Sequence, residues 1–369
     1  RPKMNRIDLQ HVIDSLSAGG TVRLPVGELQ LGATPAYTYE SADFHLLLRS
    51  GVSLEGEGWP TVISCQQDIK VPSDDVHVIE VVGPSPEPHI PLFAPSGGQD
   101  IAIRRLKVVG LPRTNGAQQH LLPAHSPFRR ARFEDLWLCE SGDEMASPAW
   151  QSWGPFIPSD IRYTRCRFER SYAPALEISN KCVDVGADGC SFIDCGHGEG
   201  NAANFWPVVA SDLRLIQQYC WYDNCYFEAP SERSFVFYGS NHCRITNSIL
   251  VGHRIRLRSD FYIIHPSISG CTLIQSPDAA IEIMRTQPLQ ARVSGLHITN
   301  TKIVDAQGDA AYLNDVDGCV LDLDINGATR GVIIGPNCND VSGTIRCRNI
   351  TGDVLRVDPA ATNINISVS

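Results

Sequence analysis

The sequence predicts an all-β chain wound as a single-stranded right-handed parallel β-helix, a solenoid of short strands with a short N-terminal capping helix. Three observations predict it. A small residue ahead of an apolar pair recurs at Cys166, Cys190, Cys225, Asn247, Cys271 and Asn300, at separations of 24, 35, 22, 24 and 29 residues. The C-terminal third repeats the pattern in VSGLHI, VDGCVLDL and DVSGTI, whose glycines Gly295, Gly318 and Gly343 stand 23 and 25 apart. A fixed period of this size, broken by insertions, marks a repeat architecture. Within each repeat the apolar residues alternate in short runs, as in IRYTRCRF, ALEIS and CRITNSIL; that is the period of a strand and not of a helix. Such short strands cannot bury a face alone, but stacked copies enclose a continuous column of Val, Ile, Leu, Phe and Cys.

The N-terminus differs from the rest. IDLQHVIDSLSAGG places Ile7, Leu9, Val12, Ile13 and Leu16 at helical spacing and stops at Gly19 and Gly20, so a helix is predicted to cap the open hydrophobic end of the coil. Residues 1–35 form this cap and 36–369 the rungs of one domain. The longest insertions, near 140–160 and 196–207, are expected to wall a groove. The thirteen cysteines lie mostly at strand positions, as in CRF, CSF, CYF and CTL, so they are expected to be reduced, buried packing residues. No closely paired cysteines recur at zinc-ligand spacing.

Composition excludes two classes of partner. Charged residues are 20% of the chain and the formal net charge is -10, whereas a nucleic-acid partner asks for a basic stripe. No apolar run reaches the roughly 18 residues needed to span a bilayer. Neither nucleic acid nor a membrane is an expected partner.

The helix, then GGTVRLPVGEL, then LLLRSGVSLEGEGWPTVI, resembles the opening of the pectate-lyase-like β-helix proteins. That superfamily includes polysaccharide lyases, polygalacturonase-type glycoside hydrolases, epimerases and phage tailspikes. The resemblance implies an enzyme that cleaves glycosidic linkages in a groove on the solenoid flank, by β-elimination of a uronate polymer or by hydrolysis. The alternative it implies is a noncatalytic glycan-binding spike or adhesin. A polysaccharide partner, a monomer or homotrimer, and an extracellular or virion-surface location follow from the same likeness. GHG at Gly196 to Gly198 and RIR at Arg254 to Arg256 resemble polygalacturonase motifs, but the paired aspartates of that family have no counterpart here, so the reaction stays open.

Candidate site residues come from the strands that would floor the groove. In ALEIS, inward Leu176 and Ile178 direct Glu177 outward, which makes it the leading catalytic carboxylate. The next repeats offer His197, Glu199, Tyr238, Arg256 and Asp260 as further acid, base or charge-stabilising groups. A hydrolase needs a protonated carboxyl and a second carboxylate; a lyase needs a base and a cationic group beside the developing enolate. Trp150, Trp153 and Trp206, in the insertions, suit stacking on a pyranose face, with Arg254 and Arg258 as further substrate contacts. The bland alternatives are loop anchoring for the tryptophans, a turn role for His197, and solvated strand faces for Glu177 and the arginines. No metal site and no cofactor are predicted; the one candidate for calcium is the neighbourhood of Asp143 and Glu144.

Overall fold

The computed structural model describes the chain apart from residues 1–4, 17–18, 33–36, 40–41, 66–74, 83–97, 113–117, 124–127, 149–155, 207–215, 259–261 and 285–291. Two compact units, Arg1–Glu199 and Gly200–Ser369, divide it. Each is a parallel β-helix, with the hand that parallel crossovers favour.

The first unit opens with the helix Arg6–Ser15, started by a capping box in which Asn5 and Asp8 each accept the other's backbone N–H. Its apolar face is narrower than predicted. Leu9 and Ile13, one turn apart, are buried, while Ile7 and Val12 are exposed; Gln10 anchors the helix by bonding both the N–H and the C=O of Leu47. Three parallel ladders follow. Gly20–Arg23, Val52–Glu55, Gly98–Arg104, Phe128–Glu134, Ser159–Thr164 and Val183–Asp188 form the first. Gly27–Leu31, Thr61–Cys65, Lys107–Val109, Trp137–Ser141, Arg167–Ser171 and Ser191–Ile193 form the second. Ala42–Arg49, Asp75–Val82 and Gln118–His120 form the third, which continues through a bridge between Ala146 and Leu176 of the strand Leu176–Ser179.

The corners explain why this sequence winds. At equivalent rung positions Arg105, Asp135, Arg165 and Gly189 all take left-handed backbone, with φ of 53, 53, 51 and 59°, and the next residue, Leu106, Leu136, Cys166 or Cys190, turns back into the core. A left-handed non-glycine residue costs about 1 kcal/mol. Ion pairs between rungs offset part of that, as Arg165 with Asp135 (2.7 Å) and, at a second corner, Arg130 with Asp100 (2.6 Å). The interior stacks like on like: Phe133 on Tyr163 with centroids 4.7 Å apart, Phe168 on Phe192 at 4.8 Å.

In the second unit, Asn201–Trp206, Tyr226–Phe237, Ile249–Arg258, Ile281–Met284, Asp309–Leu313, Arg330–Ile334 and Leu355–Val357 pair in succession. Residues 201–206 are thus a rung strand, where the sequence suggested part of a groove wall. The corner row here is Asn224, Asn247, Gly270 and Asn300, with φ of 51, 50, 64 and 46°. That row corrects the repeat alignment by one residue. Tyr226 lies opposite Ile249, so Cys225 matches Ser248 and not Asn247; Thr272 lies opposite Lys302, so Cys271 matches Thr301 and not Asn300. Asparagine sits at the corner because its short side chain tolerates left-handed backbone, and the residue after it enters the core. Likewise Gly343 lies opposite Leu321, not Gly318. All thirteen cysteines are free, and all but the half-buried Cys347 are buried, as packing residues should be.

Candidate active site

The third ladder of the first unit carries a column of rings. Phe44, His77 and His120 are in register on three strands, and parallel neighbours about 4.8 Å apart bring such side chains face to face. Phe44 stacks on His77 at 4.9 Å and 19°, and His77 on His120 at 4.7 Å and 20°. All three rings are buried. Each imidazole meets a glutamate. His77 Nδ1 lies 3.1 Å from Glu80 Oε2, an ion-pair distance reached off the line of a hydrogen bond. His120 Nδ1 lies 3.1 Å from the backbone oxygen of Glu144 and 3.6 Å from its Oε2.

Glu144 belongs to the buried segment 141–148, shaped by the Ser141 hydroxyl, which donates to the carbonyl of Gln119. Beside it stand Asp143 and Glu177, and the three carboxyl residues are 9%, 5% and 5% exposed respectively. Glu177 shares a strand face with Ser179, as the alternation predicts, and accepts the Ser179 hydroxyl at 3.2 Å; Ser179 also meets the Ser147 hydroxyl at 2.9 Å. The expectation of a solvated Glu177 does not hold: its face is covered.

Burial pushes the Glu144 carboxyl well above the usual carboxylate range, and the charges of Glu177 and then Asp143 push it further. Glu144 therefore holds its proton more tightly than an ordinary glutamate, beside two further carboxyl groups. Environments that drive neighbouring carboxyls apart in acidity assign acid and base roles. One donor atom each from His120, Asp143 and Glu144 lie within 4.8 Å of one another. Calcium takes six to eight oxygens, and Asp143 and Glu144 are carboxyl residues of the kind that would supply some of them.

The other predicted residues fall elsewhere. His197 and Glu199 are exposed on the turn at 197–199; the His197 ring meets Tyr172 edge-on at 5.6 Å, and His197 and Gly198 N–H groups bond the carbonyls of Ser171 and Tyr172. Trp150, Trp153 and Asp260 lie outside the described residues. In the second unit, Trp206, Tyr238 and Arg258 occupy the same outward position on successive rungs, one residue past the paired Phe205, Phe237 and Leu257. Trp206 meets Tyr238 at 4.2 Å and 73°, Asn201 Nδ2 donates to the Tyr238 hydroxyl at 3.1 Å, and the Arg258 guanidinium lies 5.5 Å from the Tyr238 ring centroid. Arg254 is buried against Glu232 and Asp278, and Arg256 pairs with Glu282 at 2.8 Å. These two arginines tie rungs together.

Sequence reasoning missed His77, Glu80 and His120, and gave Asp143 and Glu144 only a metal role. The signal was present in DVHVIEVV, where His77 and Glu80 interrupt an apolar run that offers no polar face.

No family model matches the chain, and a search among curated proteins finds no match. Solved structures do resemble it. The catalytic domain of Agl-KA superposes with a TM-score of 0.70 at 12% identity, over 99% of this chain and 65% of that one. The catalytic domain of a GH87 α-1,3-glucanase, in complex with nigerose, gives 0.66 at 12% identity over 100% and 67%. The tailspike protein of E. coli bacteriophage HK620, in complex with a pentasaccharide, gives 0.62 at 15% identity over 98% and 74%. The chain thus spans about two thirds of the length of the Agl-KA domain. At these identities the likeness establishes the fold, the right-handed parallel β-helix, and fold alone does not fix a reaction.

Proposed function

We propose that the protein cleaves the glycosidic bonds of a polysaccharide by hydrolysis, with Glu144 as the proton donor to the leaving oxygen. The observation that carries this reading is the cluster of three buried carboxyl residues, Glu144 beside Glu177 and Asp143, in which burial and the neighbouring charges raise the Glu144 pKa. Hydrolysis needs that division of labour: an acid that still owns its proton at working pH, and a carboxylate that activates water or attacks the anomeric carbon. Glu177 takes the second role, fixed by the Ser179 hydroxyl. Three clustered carboxyl residues match that requirement more closely than the base and cationic group of an elimination, for which His120, 3.6 Å from Glu144 Oε2, is the nearest basic group among the described residues. In the second unit Trp206 and Tyr238 offer an aromatic surface of the kind a pyranose stacks on, with Arg258 at its end. The solved neighbours complexed with nigerose and with a pentasaccharide make a glycan the natural ligand class. A polymer-degrading enzyme of this kind works outside the cell or on a virion surface.

The test is incubation with a panel of neutral and uronate polysaccharides, following reducing ends and the ultraviolet absorbance of unsaturated products. Reducing ends without absorbance, abolished in Glu144→Gln, support hydrolysis. Absorbance rising with reducing ends moves the chemistry to elimination. Full activity in Glu144→Gln removes Glu144 from the mechanism. Glycan binding without either product favours the noncatalytic spike.

A further inference from the structure

The segment GVSLEGEGWPTVI carries a tryptophan, Trp59, that neither the core nor the carboxyl cluster uses. Its turn is clamped without it. The Gly56 and Gly58 N–H groups bond the carbonyls of Arg104 and Arg105 at 2.9 and 2.8 Å, and the Thr61 N–H returns to the Gly58 carbonyl at 3.0 Å. A Cβ on Gly56 would stand 2.3 Å from the Arg105 carbonyl oxygen, so the turn lies hard against the next rung. Trp59 is nevertheless 45% exposed. Its indole N–H donates to the backbone oxygen of Asp135 at 3.3 Å, and its ring meets Trp137 edge-on at 5.3 Å and 62°. These two contacts fix the orientation of the ring while nearly half of the residue stays in water. Trp137 itself belongs to an outward column of the second ladder, in register with Lys107 on one side and Arg167 on the other. The Lys107 Nζ lies 3.6 Å from the Trp137 ring centroid and the Arg167 guanidinium 5.5 Å from it, both within cation–π reach. The nearby carboxylates are already engaged: Glu169 accepts from Trp137 Nε1 at 3.2 Å and from Arg167 Nε at 2.9 Å, and Arg170 bonds both Glu169 and Glu140. Three cations therefore face two carboxylates, and Lys107 has no carboxylate at ion-pair distance among the described residues.

We propose that Trp59, Trp137 and Lys107 form a noncatalytic binding site for a uronate residue, which anchors an acidic polysaccharide on the second ladder of the first unit, apart from the carboxyl cluster. The proposal rests on the glycan reading above and narrows it to polymers that carry carboxylates. A pyranose offers its apolar face to the exposed indole. The carboxylate on its edge then meets the ammonium of Lys107, which sits on the same Trp137 ring that Trp59 touches. A neutral sugar would use the ring alone and leave that ammonium unengaged. The net charge of -10 repels a polyuronate at long range, and a local excess of cations is what such a chain needs in order to settle. The strand Trp137–Ser141 runs from this surface into the buried segment 141–148 that bears Asp143 and Glu144, so a polymer gripped here is held on the unit that carries the carboxyl cluster.

Electrophoresis of the whole chain through native gels containing polygalacturonate, alginate or neutral dextran tests this, with Glu144→Gln as the parent so that the polymer is not consumed. At least one of the two uronate polymers should retard the parent, and dextran should not. Added to that parent, Trp59→Ala should weaken the dissociation constant by about two- to tenfold, the worth of one aromatic contact. Lys107→Glu should weaken it by about tenfold or more, the worth of one hydrogen bond to a charged group. Trp59→Phe and Lys107→Arg, which keep the ring and the charge, should bind like the parent, and that contrast separates a lost contact from a lost fold. No retardation by either uronate polymer, equal retardation by dextran, or parent-like affinity in either Trp59→Ala or Lys107→Glu overturns the proposal, whatever the role of Glu144. A Glu144→Gln chain that still cleaves the polymer while showing the expected losses removes the catalytic reading and leaves this site standing.

Discussion

Glu144→Gln should make the protein more stable relative to wild type as pH rises, and the slope can be worked out. Glu144 is buried, and burial with the charges of Glu177 and Asp143 raises its folded-state pKa well above the ordinary value, about 4.3 for a glutamate in an unfolded chain. Between those two values the native state keeps a proton that the unfolded state has released. Stability therefore falls with pH, by about 1.4 kcal/mol per pH unit for one proton. The full stability is present below the unfolded pKa and is lost as pH rises toward the folded one. Glutamine mimics the neutral acid and cannot ionise, so the variant loses this slope, and wild type falls behind it by about 1.4 kcal/mol for each pH unit between the unfolded and the folded pKa. Because the three carboxyls interact, the titration belongs to the cluster, and the wild-type minus variant difference reads the proton bound by the whole. Urea denaturation of both proteins at pH 5, 6 and 7 is the assay. Parallel stability lines across that range would falsify a raised Glu144 pKa.

Three further outcomes follow from the fold and the second unit. Phe168→Ala empties half of the stack with Phe192, both rings fully buried at 4.8 Å, and should cost about 3–5 kcal/mol in chemical denaturation; a loss under 1 kcal/mol would mean the core column is not packed as described. Asn247, at φ 50° in the corner row, should accept glycine with little change, while Asn247→Val should cost about 1–2 kcal/mol more; equal midpoints for the two variants would contradict a left-handed corner. Trp206→Ala should weaken binding of whichever oligosaccharide the panel selects by about two- to tenfold in calorimetric titration, the worth of one aromatic contact, and an unchanged affinity would remove the Trp206 and Tyr238 surface from substrate binding.

The rung architecture was legible because it is written in local alternation and in a long-range period, both visible in one dimension. IRYTRCRF and CRITNSIL expose their inward residues directly, and Ile161, Tyr163 and Ile245 are buried as their spacing predicts. Register was less legible. Asn247 and Asn300 look like the small residue that precedes an apolar pair, yet their left-handed backbone places them on the corner, one step before the residue that enters the core. Backbone handedness has no hydrophobic signature, so a slip of one residue is what pattern matching should produce. The site was legible in part. Glu177 stood out because alternation fixed its face, but alternation says nothing about what covers that face. His120 and Glu144 meet through contacts that depend on a turn at 141–148, in which every residue is buried and no period exists to be read.

Stacking in register also explains how an acid cluster can persist inside a solenoid. A ladder repeats whatever it carries at the same height, so a histidine placed opposite a histidine becomes a ring column without any dedicated loop. Two like charges 4.7 Å apart repel by about 3–4 kcal/mol at an effective dielectric near 20, which equals between two and three units of pKa. The same geometry that packs Phe168 on Phe192 for stability thus becomes, when the rings are imidazoles, a strong electrostatic link between neighbouring rungs.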